Sequence, residues 1–428
     1  MKLHKNAKKK KIKYSNIAHY DFTRKPIRPT PLIWVVRLIV KLMLLKRKTK
    51  VVYLDGAKKK LKKPHLILAN HSAFNDFYMF FKAFTSNRIN YVVALDAFND
   101  ISDFIMRIIG AFPTRKFITD ISMLKNFKYC VNDLKDSVLL YPESRYSLDG
   151  TLSWTPDSMG KFVKFLKVPV IAYNLSGSYI GDPQWNKYKQ DYLPMEATAS
   201  LIIKEEEIDS LSVEEINERI RKALAFNDWE YLKNCGKELK YKDRAHNLNA
   251  LLYQCPHCKT EFKMQGEGST LTCLECGVKY QMKTNGVLFN ENGETIFDNV
   301  PDWFKWQRAN VKEQVRSGNY LMESDCDVYT MPHAQGFVPQ GKGTLYQDSE
   351  KTVLKVTLYG EEKVIEYAGT TLESVHIEYA YKDVGDMFDF SIPNDSIWLH
   401  PTNRKDILTK VSIATEEIRD LANENLKK

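Results

Sequence analysis

Between residues 65 and 180, short apolar runs alternate with stretches whose apolar residues return every three or four positions. HLILA (65–69), YVVALD (91–96), SVLLY (137–141) and VPVIAYNL (168–175) are continuous apolar blocks of strand length, the pattern of buried strands. FYMFFKAF (77–84), FNDISDFIMRIIG (98–110), DISMLKNFKYCVNDLK (120–135) and SMGKFVKFLK (158–167) carry helical spacing between them. This alternation predicts an α/β domain. A charged, mainly helical stretch follows at 204–246, and PDWFKWQRANVKEQVRS (301–317) reads as a further helix. TVLKVTLYG, KVIEYAG, VHIEYAYK, MFDFSI, DSIWLHP and ILTKVSIA then read as strands, closed by the helical tail TEEIRDLANENLKK. The C-terminal part is therefore expected to be a small β-rich domain, with the order and composition of a lipid- or protein-binding barrel.

The most apolar stretch is PLIWVVRLIVKLMLLKRK (31–48). Its apolar part, Leu32 to Leu45, holds 14 residues and is interrupted by Arg37 and Lys41, whereas a membrane-spanning helix needs about 20. Arg37, Lys41 and Lys48 share a helix face, and Leu, Ile, Val, Met and Trp34 make up the rest. That pattern predicts an amphipathic helix lying in a membrane interface, its cations toward the headgroups; a helix packed on the protein's own core would share it. Pro31 suits a first turn. The KRKTK run that follows is wrong for signal-peptide cleavage.

Charge sharpens this picture. The chain has 428 residues, a net charge of +10 and a mean hydropathy of −0.40, which exclude a polytopic membrane protein. Residues 1–64 hold 21 basic and 2 acidic groups, a net of +19, while the remainder holds 42 against 51, a net of −9. A basic arm on an acidic body suits a polyanion, an anionic membrane surface or nucleic acid, and a solvated tail as well. The expected organisation is a basic tail (1–30), an interfacial helix (31–50), an α/β domain (51–246), a zinc ribbon (247–286) and a β-rich domain with closing helix (287–428).

Seven cysteines, an odd number, argue against a disulfide framework and for a reducing, cytoplasmic setting. Four of them, Cys255, Cys258, Cys273 and Cys276, form two Cys-x-x-Cys pairs separated by 14 residues. Two such knuckles, each turning amides toward thiolates, predict a closed four-thiolate site for structural Zn²⁺, with a rubredoxin-like iron site sharing the same ligand set. Four lysines and three glutamates around it leave little basic surface, so nucleic acid is not the expected partner.

ANHSAFNDFY (69–78) places His71 and Asp76 where a buried strand runs into a helix, the edge at which open α/β sheets bind ligands. A carboxylate five positions on reaches back to one imidazole nitrogen and leaves the other free to take a proton from a hydroxyl. Asn-His-x-x-x-x-Asp after a buried strand resembles the first motif of the glycerolipid acyltransferases, the family of 1-acylglycerol-3-phosphate acyltransferase. GAFPTRK (110–116), YPESRYS (141–147) and VPVIAYNL (168–175) resemble its next three blocks in order, so the resemblance covers roughly residues 50–200. It implies an acyltransferase-type mixed sheet with flanking helices, with His71 as base and Asp76 as its orienting partner. Arg115, Lys116, Glu143, Ser144 and Arg145 are implied at the acceptor, the basic ones on its phosphate. Also implied are a lysophospholipid acceptor, a donor that is acyl-CoA, acyl-carrier protein or acyl phosphate, and a peripheral or monotopic place on the cytoplasmic membrane face. The third block departs from the family's Phe-Pro-Glu-Gly-Thr-Arg: Ser144 replaces the glycine, Arg145 comes one residue early, and Tyr146 stands at the arginine position. A lipid-binding adaptor, whose arm and ribbon recruit protein or nucleic acid, is the rival reading.

Overall fold

The computed structural model describes residue 3 and residues 17–118, 121–188, 193–382, 384–404 and 406–426. Most of the basic tail, residues 1–2 and 4–16, lies outside the described residues. Its remainder packs across the protein: Ile17 and Tyr20 are buried, the Tyr20 hydroxyl donates to Asp103 at 2.6 Å, and its amide donates to the Pro332 carbonyl.

Seven strands form the first sheet: β1 (Thr49–Leu54), β2 (Leu66–Ala69), β3 (Ile89–Ala94), β4 (Ala111–Thr114), β5 (Ser137–Leu140), β6 (Val170–Ser176) and β7 (Met195–Ile203). Their order is β1-β7-β6-β2-β5-β3-β4, parallel at every pairing except β6 with β7. β2 sits at the centre and every one of its side chains is buried, which is why HLILA has no polar alternation. Helices cover both faces. α1 (Ile33–Met43), α2 (Asn75–Ala83), α3 (Ala97–Asp100) and α4 (Asp103–Ile108) lie on one side; α5 (Ile121–Asn132), α6 (Met159–Leu166) and α7 (Val213–Leu224) lie on the other. α8 (Asp228–Asn234) leads out toward the ribbon.

Two expectations change here, and one strand is added. The helix expected over 98–110 is broken, because Ile101 adopts extended backbone between α3 and α4. AFPT, inside the second block, is a strand; Pro113 is tolerated because β4 is an edge. The cations of α1 do not all face outward: Arg37 turns inward, donates to the carbonyls of Phe84, Thr85 and Ser86, and stacks on Trp34. Those carbonyls lie at the C-terminus of α2, where helix ends leave acceptors unsatisfied and favour a cation. Leu38, Ile39, Leu42, Met43 and Leu45 remain exposed, beside Lys41, Lys46 and Lys48. No helix among the described residues is long and apolar enough to cross a membrane.

The ribbon strands β8 (Met264–Glu267), β9 (Thr270–Cys273), β10 (Lys279–Met282) and β11 (Leu288–Phe289) form a small antiparallel sheet. It packs on α9 (Val300–Arg316), where Trp303 donates from its indole to the Gln254 carbonyl at 2.9 Å. The C-terminal strands are β12 (Leu321–Thr330), β13 (Val338–Asp348), β14 (Lys351–Leu358), β15 (Glu361–Ala368), β16 (His376–Tyr381), β17 (Gly385–Ile392) and β18 (Asp395–Pro401). They form an antiparallel sheet in the order β15-β14-β13-β12-β18-β17-β16. ILTKVSIA is not a strand but the start of α10 (Leu408–Leu426). Every residue of α10 from Leu408 to Arg419 is buried, so the one-sided stripe that marks a surface helix is absent. Met331, Phe337, Met387 and Trp398 of this region share a core with Tyr20, Tyr91 and Phe98 of the first, which brings β16 against the open end of the α/β sheet.

Candidate active site

The site begins at the C-terminal end of β2, where connections leave for both halves of the sheet. Asn70 pins that end by bonding the Leu175 backbone in both directions, at 2.8 Å and 2.7 Å. His71 follows, and its Nδ1 lies 2.9 Å from Asp76 Oδ2. The same oxygen accepts from the amides of Ser72, at 2.6 Å, and Ala73, at 3.1 Å. With two amides also donating to this oxygen, the neutral imidazole faces it with Nδ1–H, which places the lone pair on Nε2. Tyr141 stacks on the imidazole at 4.0 Å between ring centres, and Tyr146 leans on it at 4.4 Å.

The third block forms a second layer behind the histidine. Glu143 accepts from the His71 amide at 2.8 Å and the Ser153 amide at 2.9 Å, clamping the loop to the end of β2. Burial pushes its carboxyl up to about 7, with the two amides and Arg145 pulling against the rise. Ser144 has φ +55°, the left-handed backbone that a glycine adopts freely. The serine thus holds a backbone conformation that disfavours a side chain, at a cost on the order of 1 kcal/mol.

His71 opens onto a cavity of about 460 Å³, within the range of small-ligand pockets. One end is apolar, lined by Val36, Ile39, Val40 and Met43 of α1 with Phe74, Phe77, Ile101 and Ile105. The other end is polar, and half of it comes from the C-terminal sheet: Asp96 and Lys116 meet His376 and Glu378 of β16. His376 and Glu378 are two apart and so share a strand face, with Asp389 of β17 directly opposite His376. Lys116 Nζ lies 2.6 Å from His376 Nε2 and 3.5 Å from Asp96. Glu378 lies 2.8 Å from His376 Nε2 and accepts from Gln184 at 2.7 Å. Burial and Lys116 hold the His376 imidazole below its ordinary value, so it is neutral at pH 7. Burial works against ionising Glu378, but His376, Lys116 and Gln184 outweigh it and hold the carboxyl below its usual range.

The residues expected at the acceptor are therefore divided. Lys116, Ser144 and Arg145 line the cavity with His71, while Arg115 and Glu143 do not. The Arg115 guanidinium donates to the carbonyls of Met331, Pro332 and Asn394. The buried Arg145 guanidinium donates to Ser374, Ser412 and Glu416, the last at 2.6 Å. Glu416 also binds Arg308, and these cations hold its carboxyl at about 2 although burial alone would raise it. His376, Glu378, Asp96 and the two tyrosines escaped sequence reasoning. The alternation in VHIEYAYK put His376 and Glu378 on one face, but nothing local says where that face lands.

A solved structure, the 1-acyl-sn-glycerophosphate (LPA) acyltransferase PlsC from Thermotoga maritima, aligns at 13% identity and a TM-score of 0.37, over 45% of this chain and 77% of its own. No family model matches the chain, and no curated protein does.

The sulfur atoms of Cys255, Cys258, Cys273 and Cys276 all lie within 4.8 Å of one another, and none is in a disulfide. The amides of His257 and Cys258 point at the Cys255 sulfur, and those of Glu275 and Cys276 at Cys273, the knuckle geometry that stabilises thiolates. The four thiols can share one tetrahedral metal ion.

Proposed function

We propose that this protein is an O-acyltransferase that moves an acyl chain from an activated donor to a hydroxyl of a monoacyl lipid at a membrane surface. The observation that carries this reading is the His71–Asp76 pair, whose histidine lines a cavity shared by apolar side chains of α1 and the polar groups Asp96, Lys116, His376 and Glu378. In the reaction, the acceptor hydroxyl gives its proton to His71 Nε2 as its oxygen bonds to the acyl carbonyl carbon. The bond from that carbon to the donor's sulfur or phosphate oxygen then breaks, and the imidazolium returns the proton to the leaving group. Proton transfer by a well-placed base such as His71 contributes about 10²–10⁴-fold, and Asp76 stabilises the transient imidazolium. The apolar half takes an acyl chain. Ile39 and Met43 line it and are also exposed on α1 beside Lys41, so lipid enters from an anionic bilayer on which α1 lies.

Zn²⁺ is the ion assigned to the four thiols, in a structural role because protein ligands fill its shell. From the sequence resemblance the acceptor expected is 1-acylglycerol-3-phosphate. The test incubates purified protein with a lysolipid panel and labelled acyl-coenzyme A or acyl phosphate, comparing wild type with His71→Ala. Product from the wild type and a loss of about 10³-fold in the variant are expected; equal transfer by both would sink the assignment.

A further inference from the structure

The polar half of the cavity bears on which acceptor is used, an inference resting on the acyl-transfer reading above. Of the three cations expected at an acceptor phosphate, two already serve the fold. Arg145 is held by Ser374, Ser412 and Glu416, and Arg115 by three carbonyls of the C-terminal region. Lys116 does reach the cavity, but between Asp96 and His376. Tyr146, in the position expected to carry an arginine, leans on His71 and lies within the electrostatic reach of Asp96 and Glu378. Any head group beside His71 therefore meets this cluster.

The charge of the cluster is unfavourable to phosphate. Asp96 and Glu378 supply two carboxylates against one ammonium, and His376 is neutral. Arg145 lines the cavity too, but its charge is matched by Glu416 at 2.6 Å. A phosphomonoester carries about −1.5 to −2 charge at pH 7, and burial strengthens its repulsion from the two carboxylates. The hydrogen-bonding character points the same way. A fully ionised phosphate only accepts and a trimethylammonium offers no N–H, whereas a hydroxyl both donates and accepts. The rim offers both: the Lys116 ammonium donates, and the Asp96 and Glu378 carboxylates accept.

We propose that the acceptor is a monoacyl lipid with an uncharged polyhydroxyl head, glycerol- or sugar-like. Asp96, Lys116 and Glu378 bind its hydroxyls and deliver one of them to His71. His376 is a positioning residue acting through Nε2, which orients Glu378 when it carries the proton and Lys116 when it carries the lone pair.

The test uses the full chain in mixed micelles with labelled palmitoyl-coenzyme A and, separately, palmitoyl phosphate. The acceptors are 1-monoacylglycerol, a monoacylated glycosylglycerol, 1-acylglycerol-3-phosphate and lysophosphatidylcholine. At least a tenfold higher kcat/KM for a polyol acceptor than for either phospholipid is expected. Glu378→Gln and Asp96→Asn should raise KM for the polyol about tenfold and narrow its lead over 1-acylglycerol-3-phosphate; Glu378→Asp should restore part of it. Thermal unfolding of each variant separates misfolding from lost binding, and the wild-type ranking needs no variant. If 1-acylglycerol-3-phosphate or lysophosphatidylcholine is acylated as well or better, and His71→Ala abolishes that transfer, the acceptor class is wrong while the acyl-transfer reading stands. If no acceptor is acylated with either donor, both fall.

Discussion

The two polar groups of the cavity, the His71–Asp76 pair and the cluster around Lys116, are built in opposite ways. His71 and Asp76 are five residues apart, on one strand-to-helix turn, and their geometry follows from local backbone and amides. Lys116 and His376 are 260 residues apart and meet only because β16 docks against the α/β sheet. A local pair keeps its chemistry wherever the strand and helix form. A cluster assembled across the fold depends on every contact that holds the two regions together, and this one borrows its neighbours' charges.

Removing the metal should have the largest effect, because a four-thiolate zinc site contributes on the order of 10 kcal/mol to the fold around it. Bound metal near one zinc per chain is expected, and its removal by a strong chelator should unfold the ribbon and loosen α9, read by circular dichroism and hydrogen exchange. An unchanged unfolding temperature in metal-free protein would show that the shared ribbon core suffices without the ion.

Cutting the link between the regions comes next. Arg145→Ala leaves Glu416 with Arg308 and Ser374 as its remaining partners, so the cost should fall below the roughly 3–5 kcal/mol of a fully unpaired buried charge. Because Arg145 lies in the loop that clamps His71, activity should fall with it. Urea unfolding and acyl-transfer rates measured together check this, and full activity in a destabilised variant would mean the local pair works without the remote contact. The same link has a pH signature. Glu416 is held at about 2 against an ordinary value of 4.5, a depressed carboxylate. Its stabilisation is complete above about pH 4.5 and is lost as the pH falls toward 2, on the order of 3 kcal/mol over that window. Glu416→Gln should flatten that stretch of the curve.

Asp76→Asn is the smallest of these changes and the sharpest test of the local end. It should lower kcat about 10²-fold, with KM for the acceptor nearly unchanged, since Asp76 lies behind the histidine. A matching rise in KM would move Asp76 to the acceptor.

Periodicity exposed the apolar strands of the first sheet well, because burial on both faces leaves no polar interruption. It failed where burial and polarity part company. β12 alternates faithfully, but its inner positions include Ser324 and Thr330, both buried, and it was passed over. α10 is buried on all sides at its start and looked like a strand. In the site, the histidine–carboxylate pair and the four cysteines were legible because their spacing is their geometry. The phosphate-binding expectation for Arg115 and Arg145 rested on residue type and place in a motif, and neither reveals what else an arginine meets.

By itself the sequence determined what short stretches of backbone can decide: a histidine with its carboxylate, two Cys-x-x-Cys knuckles, the central strands, and an apolar helix too short to span a bilayer. The tertiary structure decided the rest. The carbonyls that hold Arg115 begin 216 residues away, and the carboxylate that holds Arg145 is 271 residues away. Whether a cation is free for a ligand is a property of the charges packed against it, and in this protein those charges come from the far end of the chain.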